Sequence, residues 1–585
     1  MAMQISKITA NISKDTIKEY GIMIMLYIIM FVNQWYMHYE VFFQNTDYYK
    51  AGVQPMYSWW QDVLFTFLFF YLCTLGRRKL SYIFTYILLG IFVLANIGYS
   101  RFFGQYITPS VLNEASNFKG TWWVSYIPEM FRWTDLLLVA TTIAFGWGIK
   151  KLRKRRTHKD LYVIAALITL PFVPCTLITA RHWHTMDEAA MWFKSIDFRE
   201  KIRNDIVITR DYTIAYNGIL RGQVYCNLVR NEHHIELSTT DLKEIKSYID
   251  NSYKSATALS DSCMVKGKPN IIFIIVESYM SVASRTKVGG KEITPYLNSL
   301  MRDKGNYANT TVTSNRECGE SSDAQVSYFT GLIPLKSEMS VLHIIKNELI
   351  ALPKLLRDQK GYNTYLTMPT DTCFWHQNDA NIKYGIDNVI VAGNANNKYW
   401  CQDEELFNIV KHKSNSLKEP YMNIILTLSM HGPYSNDFLS TTKYKSPFNY
   451  PSDYSNEFRY YLDRCYYTDM QIGRYINYLK KTKIYDNSVI VICSDHETQE
   501  GSLNRKGCTD DLPLIIANTG INSKRFYKGR INQIDVFPTM LDMFGIKSEW
   551  RGMGHSLLRS NYDNTITDKQ RNISNKILLG NYFAQ

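Results

Sequence analysis

Charged residues are scarce in this sequence, at 20% of 585 positions against about a quarter in typical soluble proteins. Glycine and proline are also few, at 30 and 16 residues, which excludes a collagen-like chain. Apolar residues reach 46% and aromatic residues 14%, so an intrinsically disordered chain is excluded as well. The chain has 53 acidic residues and 66 lysine and arginine residues. The net charge of +13 is compatible with binding to nucleic acid or anionic lipid, or with the basic loops of a membrane protein.

Long apolar runs are concentrated in residues 1–181, which are predicted to form a five-span transmembrane anchor. Three of the runs are shorter than the ~20 residues that a bilayer requires. The second contains Asp62 and the fourth follows Asp135, so a buried-helix interpretation stays open for these two. No short apolar segment with a cleavage site precedes the first run, which is therefore expected to be an uncleaved anchor. The predicted spans are 21–37, 59–75, 80–99, 136–149 and 161–180.

Basic residues fix the predicted orientation of these spans. They cluster at 77–79 and 150–159, whereas the loop 38–58 contains Lys50 as its one lysine or arginine. Because basic loops stay in the cytoplasm, both clusters are predicted to lie inside and everything after residue 180 outside. The run 150–159 has no interleaved aromatic residues, so nucleic acid is not an expected partner. We therefore expect a multi-pass protein of the cytoplasmic (inner) membrane.

The remainder of the chain alternates between strand-like and helix-like segments. Residues 182–267 are polar, with helical stretches such as 240–253, and are predicted to be a connector. A compact extracytoplasmic or periplasmic domain is predicted for 268–585. Apolar runs at 269–278, 422–430, 488–495 and 512–520 predict buried strands, and helical periodicity is found at 293–304, 349–359 and 458–480. This alternation predicts an α/β domain with a central, mostly parallel sheet and a site at the carboxyl ends of its strands.

Polar residues at those strand ends are the candidate site. Glu277 ends the first predicted strand, His431 follows the second, and Asp495 and His496 end the third. Two carboxylates and an imidazole suit Zn²⁺ or Mn²⁺, and a serine oxygen would complete a four-ligand site. Taken singly, such carboxylates are usually solvated loop residues. Ser321 and Ser322 open a predicted helix, where either could simply be an N-cap.

The ordered motifs of this domain resemble the alkaline phosphatase and sulfatase superfamily. The resemblance is to its membrane-anchored branch of lipoteichoic acid synthase-like phosphoglycerol transferases, with phosphoethanolamine transferases further off, and it covers nearly the whole chain. It implies an alkaline-phosphatase/sulfatase-like fold for the exported domain. The motifs, in chain order, are NIIFIIVES, EITPYLNSL, CGESSD, LSMHGPY, SDHE and INQIDVFPTMLDMFGI.

The resemblance implies one divalent metal ion, Mn²⁺ or Zn²⁺ with Mg²⁺ possible, held by Glu277, Ser321, Asp495 and His496. It also implies that Ser321 is the nucleophile, because GESSD matches the family pattern Gly-x-Thr-Ser-Asp. His431 would bind the phosphate or protonate the leaving group.

A second segment, DTCFWHQND, resembles the substrate pocket of the family, so Phe374 and Trp375 are expected to flank the headgroup. Gln377 is expected to bind substrate too, but it stands where the lipoteichoic acid branch has an arginine, and Glu497 stands where many sulfatases have glycine. The missing guanidinium removes a bidentate contact to phosphate or glycerol, which leaves the headgroup open.

The resemblance implies a metal-dependent transferase that moves a phosphoglycerol-type headgroup from a membrane phospholipid, through a covalent Ser321 intermediate, to an extracytoplasmic glycan or polymer. One alternative is phosphoethanolamine transfer to lipid A or a glycan. Another is a non-catalytic, lipid-binding regulatory member of the family. Sulfatase activity is not expected, because no Cys/Ser-x-Pro-x-Arg motif surrounds Cys318 or Ser321.

Cysteine pairing stays open at this stage. Eight of the ten cysteines lie in the predicted exported part, where disulfides persist. Cys318 or Cys373 could brace the rim of the site, whereas Cys493 lies inside an apolar strand and is predicted to be a buried free thiol.

Overall fold

A computed structural model describes most of the chain. Within the described part, the helices before residue 153 belong to one compact unit and everything from residue 235 onward belongs to another. The described residues are 14–44, 66, 79–103, 106–107, 132–152, 235–255, 259–317, 319–336, 339–372, 374–392, 400–432, 434, 444–498, 509–560 and 562–585.

The first unit contains three α-helices among its described residues: α1 (Lys14–Gln44), α2 (Lys79–Phe103) and α3 (Leu136–Lys151). The segments Lys18–Val41 and Lys79–Arg101 are long and apolar enough to cross a membrane. α3 has 16 residues and is about 24 Å long, less than the ~30 Å hydrocarbon core. Apart from Thr66, the predicted spans 59–75 and 161–180 lie outside the described residues, so the five-span topology stays a prediction.

Close packing and polar contacts hold these helices together. A Cβ on Gly148 of α3 would lie 2.7 Å from Leu26 Cδ2 on α1, so glycine permits the close approach. Thr141 Oγ1 donates to Asn33 Oδ1 at 2.7 Å, which links α3 to α1. The outer faces of α2 and α3 instead carry exposed apolar side chains such as Ile91 and Ile143. An apolar exterior around buried polar contacts is the arrangement that lipid favours.

The second unit is built on an eight-stranded sheet with strand order β10-β4-β9-β8-β1-β7-β5-β6, accompanied by a two-stranded hairpin of β2 and β3. The strands are β1 (Asn270–Val276), β2 (Lys287–Val288), β3 (Lys291–Glu292), β4 (Tyr307–Thr313), β5 (Asn363–Met368), β6 (Asn388–Val391), β7 (Tyr421–Leu426), β8 (Ser488–Ser494), β9 (Leu512–Ala517) and β10 (Ile531–Asn532).

The predicted mostly parallel sheet is confirmed. β1 lies between β7 and β8, parallel to both, with Phe273 opposite Ile424 and Val491. β9 is the exception, because it runs antiparallel to both β8 and β4. Every residue of β1 and β8 is buried, as expected for strands covered on both faces by helices. The carboxyl ends of β1, β7 and β8 therefore meet at one edge of the sheet.

Helices surround the sheet. Some lie at the positions where helical periodicity predicts them, and others lie at positions that were not predicted. The bounds are α4 (Thr239–Ser255), α5 (Ser281–Arg285), α6 (Pro295–Arg302), α7 (Ser321–Thr330), α8 (Val341–Ile344), α9 (Leu352–Leu355), α10 (Gln377–Tyr384), α11 (Asp403–Ser414), α12 (Asn456–Lys481), α13 (Val536–Met543) and α14 (Asp568–Gly580).

The last part of the predicted connector packs into this unit. Ile245 and Ile249 of α4 are buried in its hydrophobic core. Lys576 Nζ of α14 contacts Asp241 at 2.8 Å and Glu244 at 2.7 Å. Residues 235–255 therefore form part of the folded domain, whereas 182–234 lie outside the described residues.

Cys493 is a buried free thiol, as predicted. Cys263 and Cys465 are also buried free thiols, and Cys401 is buried. Cys318 and Cys373 lie outside the described residues, so their pairing stays open.

Candidate functional site

Three predicted site residues meet at the carboxyl edge of the sheet. Glu277 directly follows β1, and Asp495 and His496 directly follow the neighbouring strand β8. Their ligand atoms all lie within 4.8 Å of one another, and all three residues are buried. His496 Nε2 lies 3.5 Å from Asp495 Oδ2 and 3.8 Å from Glu277 Oε1. We call these three residues the acidic triad.

Hydrogen bonds from neighbouring side chains and backbone groups hold the triad in place. Ser278 has a φ of 47°, and its backbone N–H donates to Asp495 Oδ1 at 2.7 Å while its hydroxyl donates to Glu277 Oε1 at 2.8 Å. Tyr461 of α12 donates its hydroxyl to the Ser278 carbonyl at 3.0 Å. His496 Nδ1 lies 2.8 Å from the carbonyl of Glu497, a contact that assigns the proton to Nδ1 and presents Nε2 to the carboxylates.

The electrostatics of the triad favour a cation. Burial raises the pKa of Glu277 well above its usual range, and the neighbouring carboxylate of Asp495 raises it further. Two buried carboxylates side by side are stable as anions only with positive charge between them. Two oxygen donors and one imidazole nitrogen fit a divalent ion such as Zn²⁺ or Mn²⁺, and do not by themselves choose between the two.

Ser321 lies against the triad. It is the first residue of α7, and its Oγ is 3.2 Å from His496 Nε2 and 3.5 Å from Glu277 Oε2. The N-cap position is occupied by Glu320, without a side-chain capping bond, so the N-cap interpretation of the serines is wrong. The Ser322 hydroxyl is buried and donates to the Gly319 carbonyl at 2.5 Å. Ser321 is thus the serine whose hydroxyl meets the triad.

His431 lies in the turn after β7, the other neighbour of β1 in the sheet. Its Nδ1 contacts the Gly432 carbonyl at 2.5 Å, and its own carbonyl accepts a hydrogen bond from the buried Arg464. Burial lowers the pKa of His431, an effect that His496 reinforces and Asp495 opposes. His431 follows the carboxyl end of β7, the strand that pairs in parallel with the one preceding Glu277.

The predicted substrate segment lies beside α7. Phe374 and Trp375 form a short 3₁₀ turn in which Trp375 has a φ of 52°. Gln377 begins α10 and is buried, and its Nε2 donates to Gln325 Oε1 of α7 at 3.1 Å. Gln377 therefore contacts the helix that starts at Ser321.

Arg316 is a residue of this site that sequence reasoning missed. Its Nε and Nη2 donate to Glu497 Oε1 at 3.1 and 2.7 Å, and its Nη1 donates to Glu320 Oε2 at 2.9 Å. Burial acts to raise the pKa of Glu497, but Arg316 and His496 outweigh it and hold that pKa at about 2. In the sequence, Arg316 is marked only by its position four residues before Glu320. This spacing also occurs in many exposed helices, so it does not by itself indicate a site.

Comparison with known proteins identifies two domains. A family model described as Sulfatase matches residues 269–546, and one described as Lipoteichoic acid synthase N-terminal domain matches residues 3–202. The Sulfatase match contains the triad, Ser321, Arg316 and His431.

Individual relatives are similar over most of the chain. Lipoteichoic acid synthase 2 of Bacillus subtilis (strain 168) is 25% identical over 505 residues, or 81% of this chain and 74% of that protein. Lipoteichoic acid synthase of Staphylococcus aureus (strain NCTC 8325 / PS 47) is 25% identical over 527 residues, or 83% and 75%. Among solved structures, lipoteichoic acid synthase LtaP from Listeria monocytogenes covers 58% of this chain and 97% of its own, with 20% identity and a TM-score of 0.45.

Proposed function

We infer that this chain is a member of the alkaline phosphatase and sulfatase superfamily with a lipoteichoic acid synthase N-terminal domain, because the two family models match residues 269–546 and 3–202. On that premise we propose that it transfers a phosphoglycerol-type headgroup from a membrane phospholipid to an extracytoplasmic glycan or polymer. The observation that carries the proposal is the Ser321 hydroxyl, which lies 3.2 Å from His496 Nε2 and 3.5 Å from Glu277 Oε2. A hydroxyl held against a cation-binding set is suited to attack a phosphoryl group.

In the first half of the proposed reaction, Ser321 Oγ attacks phosphorus and the bond to diacylglycerol breaks. The headgroup phosphate is then an ester of Ser321, and diacylglycerol leaves with a proton. In the second half an acceptor hydroxyl attacks the same phosphorus, the Oγ–P bond breaks and Ser321 is restored. A divalent ion held by the triad and Ser321 would lower the pKa of the hydroxyl and neutralise charge on the phosphoryl oxygens.

Other residues of the site are assigned supporting roles. The N-terminus of α7, where Ser321 lies, favours the negative charge of a phosphate through the helix dipole. His431 is proposed to bind the phosphate or to protonate the leaving oxygen, with its ring oriented by the Gly432 carbonyl. Phe374, Trp375 and Gln377 are proposed to contact the headgroup. The apolar helices of the first unit would keep the enzyme at the lipid surface that supplies its donor.

Phosphoethanolamine is the alternative headgroup, and Gln377 is the observation that favours it. An amide paired with Gln325 presents no positive charge to the substrate, unlike the arginine of the lipoteichoic acid branch. A cationic ammonium headgroup is repelled by a guanidinium but not by an amide. The two headgroups leave different masses on Ser321, so one experiment separates them.

The test is headgroup release by the full chain in lipid nanodiscs, with phosphatidylglycerol and phosphatidylethanolamine offered separately. Ser321→Ala should abolish release and the covalent adduct, because it removes the attacking oxygen. Ser322→Ala is the matched control and should retain turnover, because its hydroxyl donates to the Gly319 carbonyl and not to a triad residue among the described residues. Intact-protein mass spectrometry of the wild type identifies the headgroup. Equal turnover by Ser321→Ala would refute the mechanism, and tight lipid binding without turnover by the wild type would support a regulatory protein instead.

A further inference from the structure

One arginine joins the two chain segments that carry the proposed nucleophile and the metal-binding histidine. Arg316 contacts Glu320, the residue before Ser321, and Glu497, the residue after His496. Arg316 and Glu497 are 181 positions apart in the sequence, so this contact is made only by the fold. We call Arg316, Glu320 and Glu497 the arginine clamp.

The clamp is largely removed from solvent. The side-chain exposed fractions are 16% for Arg316, 6% for Glu320 and 17% for Glu497. The N–H groups of a buried arginine need hydrogen-bond acceptors supplied by the protein. Because the guanidinium group is planar, these acceptors must lie in its plane. Three hydrogen bonds of 2.7 to 3.1 Å meet that requirement, so the relative position of the two glutamates is restricted.

The backbone at Glu320 shows why such a restraint matters. Its φ of 49° and ψ of −129° lie in a region that residues other than glycine rarely occupy. A residue in such a conformation is strained and persists only where its surroundings hold it. This conformation sets the direction in which Ser321 enters α7. The hydrogen bond from Arg316 Nη1 to Glu320 Oε2 is one contact that holds it.

On the opposite segment, the same arginine acts on the metal-binding histidine. Glu497 offers its carbonyl to His496 Nδ1 at 2.8 Å and its carboxylate to Arg316. Fixing the Glu497 side chain therefore restrains the carbonyl that orients the imidazole. When a residue that hydrogen-bonds to a metal ligand is substituted, the metal affinity or the activity typically changes about 10- to 100-fold.

We propose that Arg316 is a positioning residue that sets the separation of Ser321 Oγ from His496 Nε2, through Glu320 and Glu497. It is not assigned a contact with substrate or with the reacting atoms. Its effect on turnover rests on the proposed transferase function, but its effect on metal affinity does not.

The test compares Arg316→Lys with Arg559→Lys in the full-length protein. Both substitutions keep the positive charge and remove the planar guanidinium group. Arg559 is the matched control because it forms a two-pronged pair with the buried Asp542, at 2.7 and 2.8 Å, away from the triad. Glu497→Asp is a second probe, since it keeps the charge of the clamp and shortens its reach by one methylene.

Three quantities are measured: the Mn²⁺ dissociation constant by calorimetry, the thermal unfolding temperature, and kcat and KM at saturating Mn²⁺. Arg316→Lys and Glu497→Asp should weaken Mn²⁺ binding about tenfold and lower kcat about tenfold, with KM within about twofold. Arg559→Lys should lower the unfolding temperature but leave Mn²⁺ binding and kcat within about twofold of wild type.

The outcomes separate this inference from the proposed function. If both clamp variants bind Mn²⁺ as the wild type does, or weaken it only as much as Arg559→Lys, the positioning role is refuted. If Arg316→Lys does not fold, Glu497→Asp decides by the same criterion. If the wild type turns over none of the lipids offered, the transferase proposal fails, while the Mn²⁺ measurements still judge the clamp.

Discussion

Two clusters of charged side chains in this protein both contain neighbouring carboxylates, but they differ in the positive charge that balances them. In the first unit, Arg101 bonds to Glu40 at 3.0 Å and to Asp135 at 2.8 Å, and Arg132 contacts Glu40 at 3.2 Å. In the second unit, the acidic triad brings two carboxylates together with one imidazole. The first cluster pairs two arginines with two carboxylates, whereas the second contains two carboxylates and no arginine or lysine.

This difference distinguishes a structural cluster from a binding site. Burying charge is costly unless opposite charges meet in good geometry, and the Arg101 cluster meets that condition with its own side chains. The triad has no arginine or lysine of its own, so a positive ion from outside the chain would stabilise its carboxylates as anions. We therefore expect substitutions in the first cluster to affect folding and substitutions in the second to affect chemistry.

The predicted topology places Lys159 and Gly267 on opposite sides of the membrane. A reporter fused after Lys159 should be cytoplasmic and one fused after Gly267 extracytoplasmic, since basic loops remain inside. Cysteine labelling with a membrane-impermeant reagent checks both positions. Both fusions on one side of the membrane would contradict the predicted orientation.

Removing a triad ligand should give the largest measurable loss. Asp495→Ala or His496→Ala should lower bound metal and activity together, by at least about a hundredfold in activity, because each removes a ligand directly. Elemental analysis of the purified protein and headgroup release give the two quantities. Asp542→Asn, which alters a buried carboxylate paired with Arg551 and Arg559, is the control and should keep its metal. Full metal occupancy in both triad variants would dismiss the site.

Removing the cation of the balanced cluster should affect stability. Arg101→Ala leaves the buried Glu40 and the partly buried Asp135 without their main partner and should cost about 3–5 kcal/mol in the free energy of unfolding. Thermal unfolding in detergent measures this loss, and the fraction that remains folded should still bind metal at the triad. A variant as stable as the wild type would show that the cluster is not structural.

The smallest effect is expected for an exposed ion pair. The hydrogen bonds from Lys576 and Ser238 lower the pKa of Asp241 from 3.8 to about 2. A lowered carboxyl pKa adds stability above the unfolded value, and that stability is lost as the pH falls from about 4 towards 2. Because the pair is near the surface, Asp241→Asn should cost less than about 1 kcal/mol at pH 7 and nothing below pH 2. Urea unfolding across this pH range tests the prediction, and an equal cost at both ends would contradict it.

The sequence predicts the central strands better than the edges of the sheet. β1, β7, β8 and β9 are predicted because continuous apolar runs indicate strands that are buried on both faces. β4 contains the polar run NTT, and β6 is exposed at its start, so neither shows that pattern. β10 has two residues, too few for any periodicity. These strands form through pairing with neighbours that are distant in the chain.

The sequence by itself determined the kind of domain, the two apolar helices and the identity of the triad, because burial and strand ends leave local patterns of hydrophobicity. The resemblance of GESSD to the family pattern favoured Ser321 over Ser322, but only the tertiary structure shows how close the Ser321 hydroxyl lies to the triad. The tertiary structure alone paired Arg316 with Glu497 across 181 positions. A hydrogen bond depends on distance and direction in space, and residue order does not encode these quantities until the sheet has brought the two segments together.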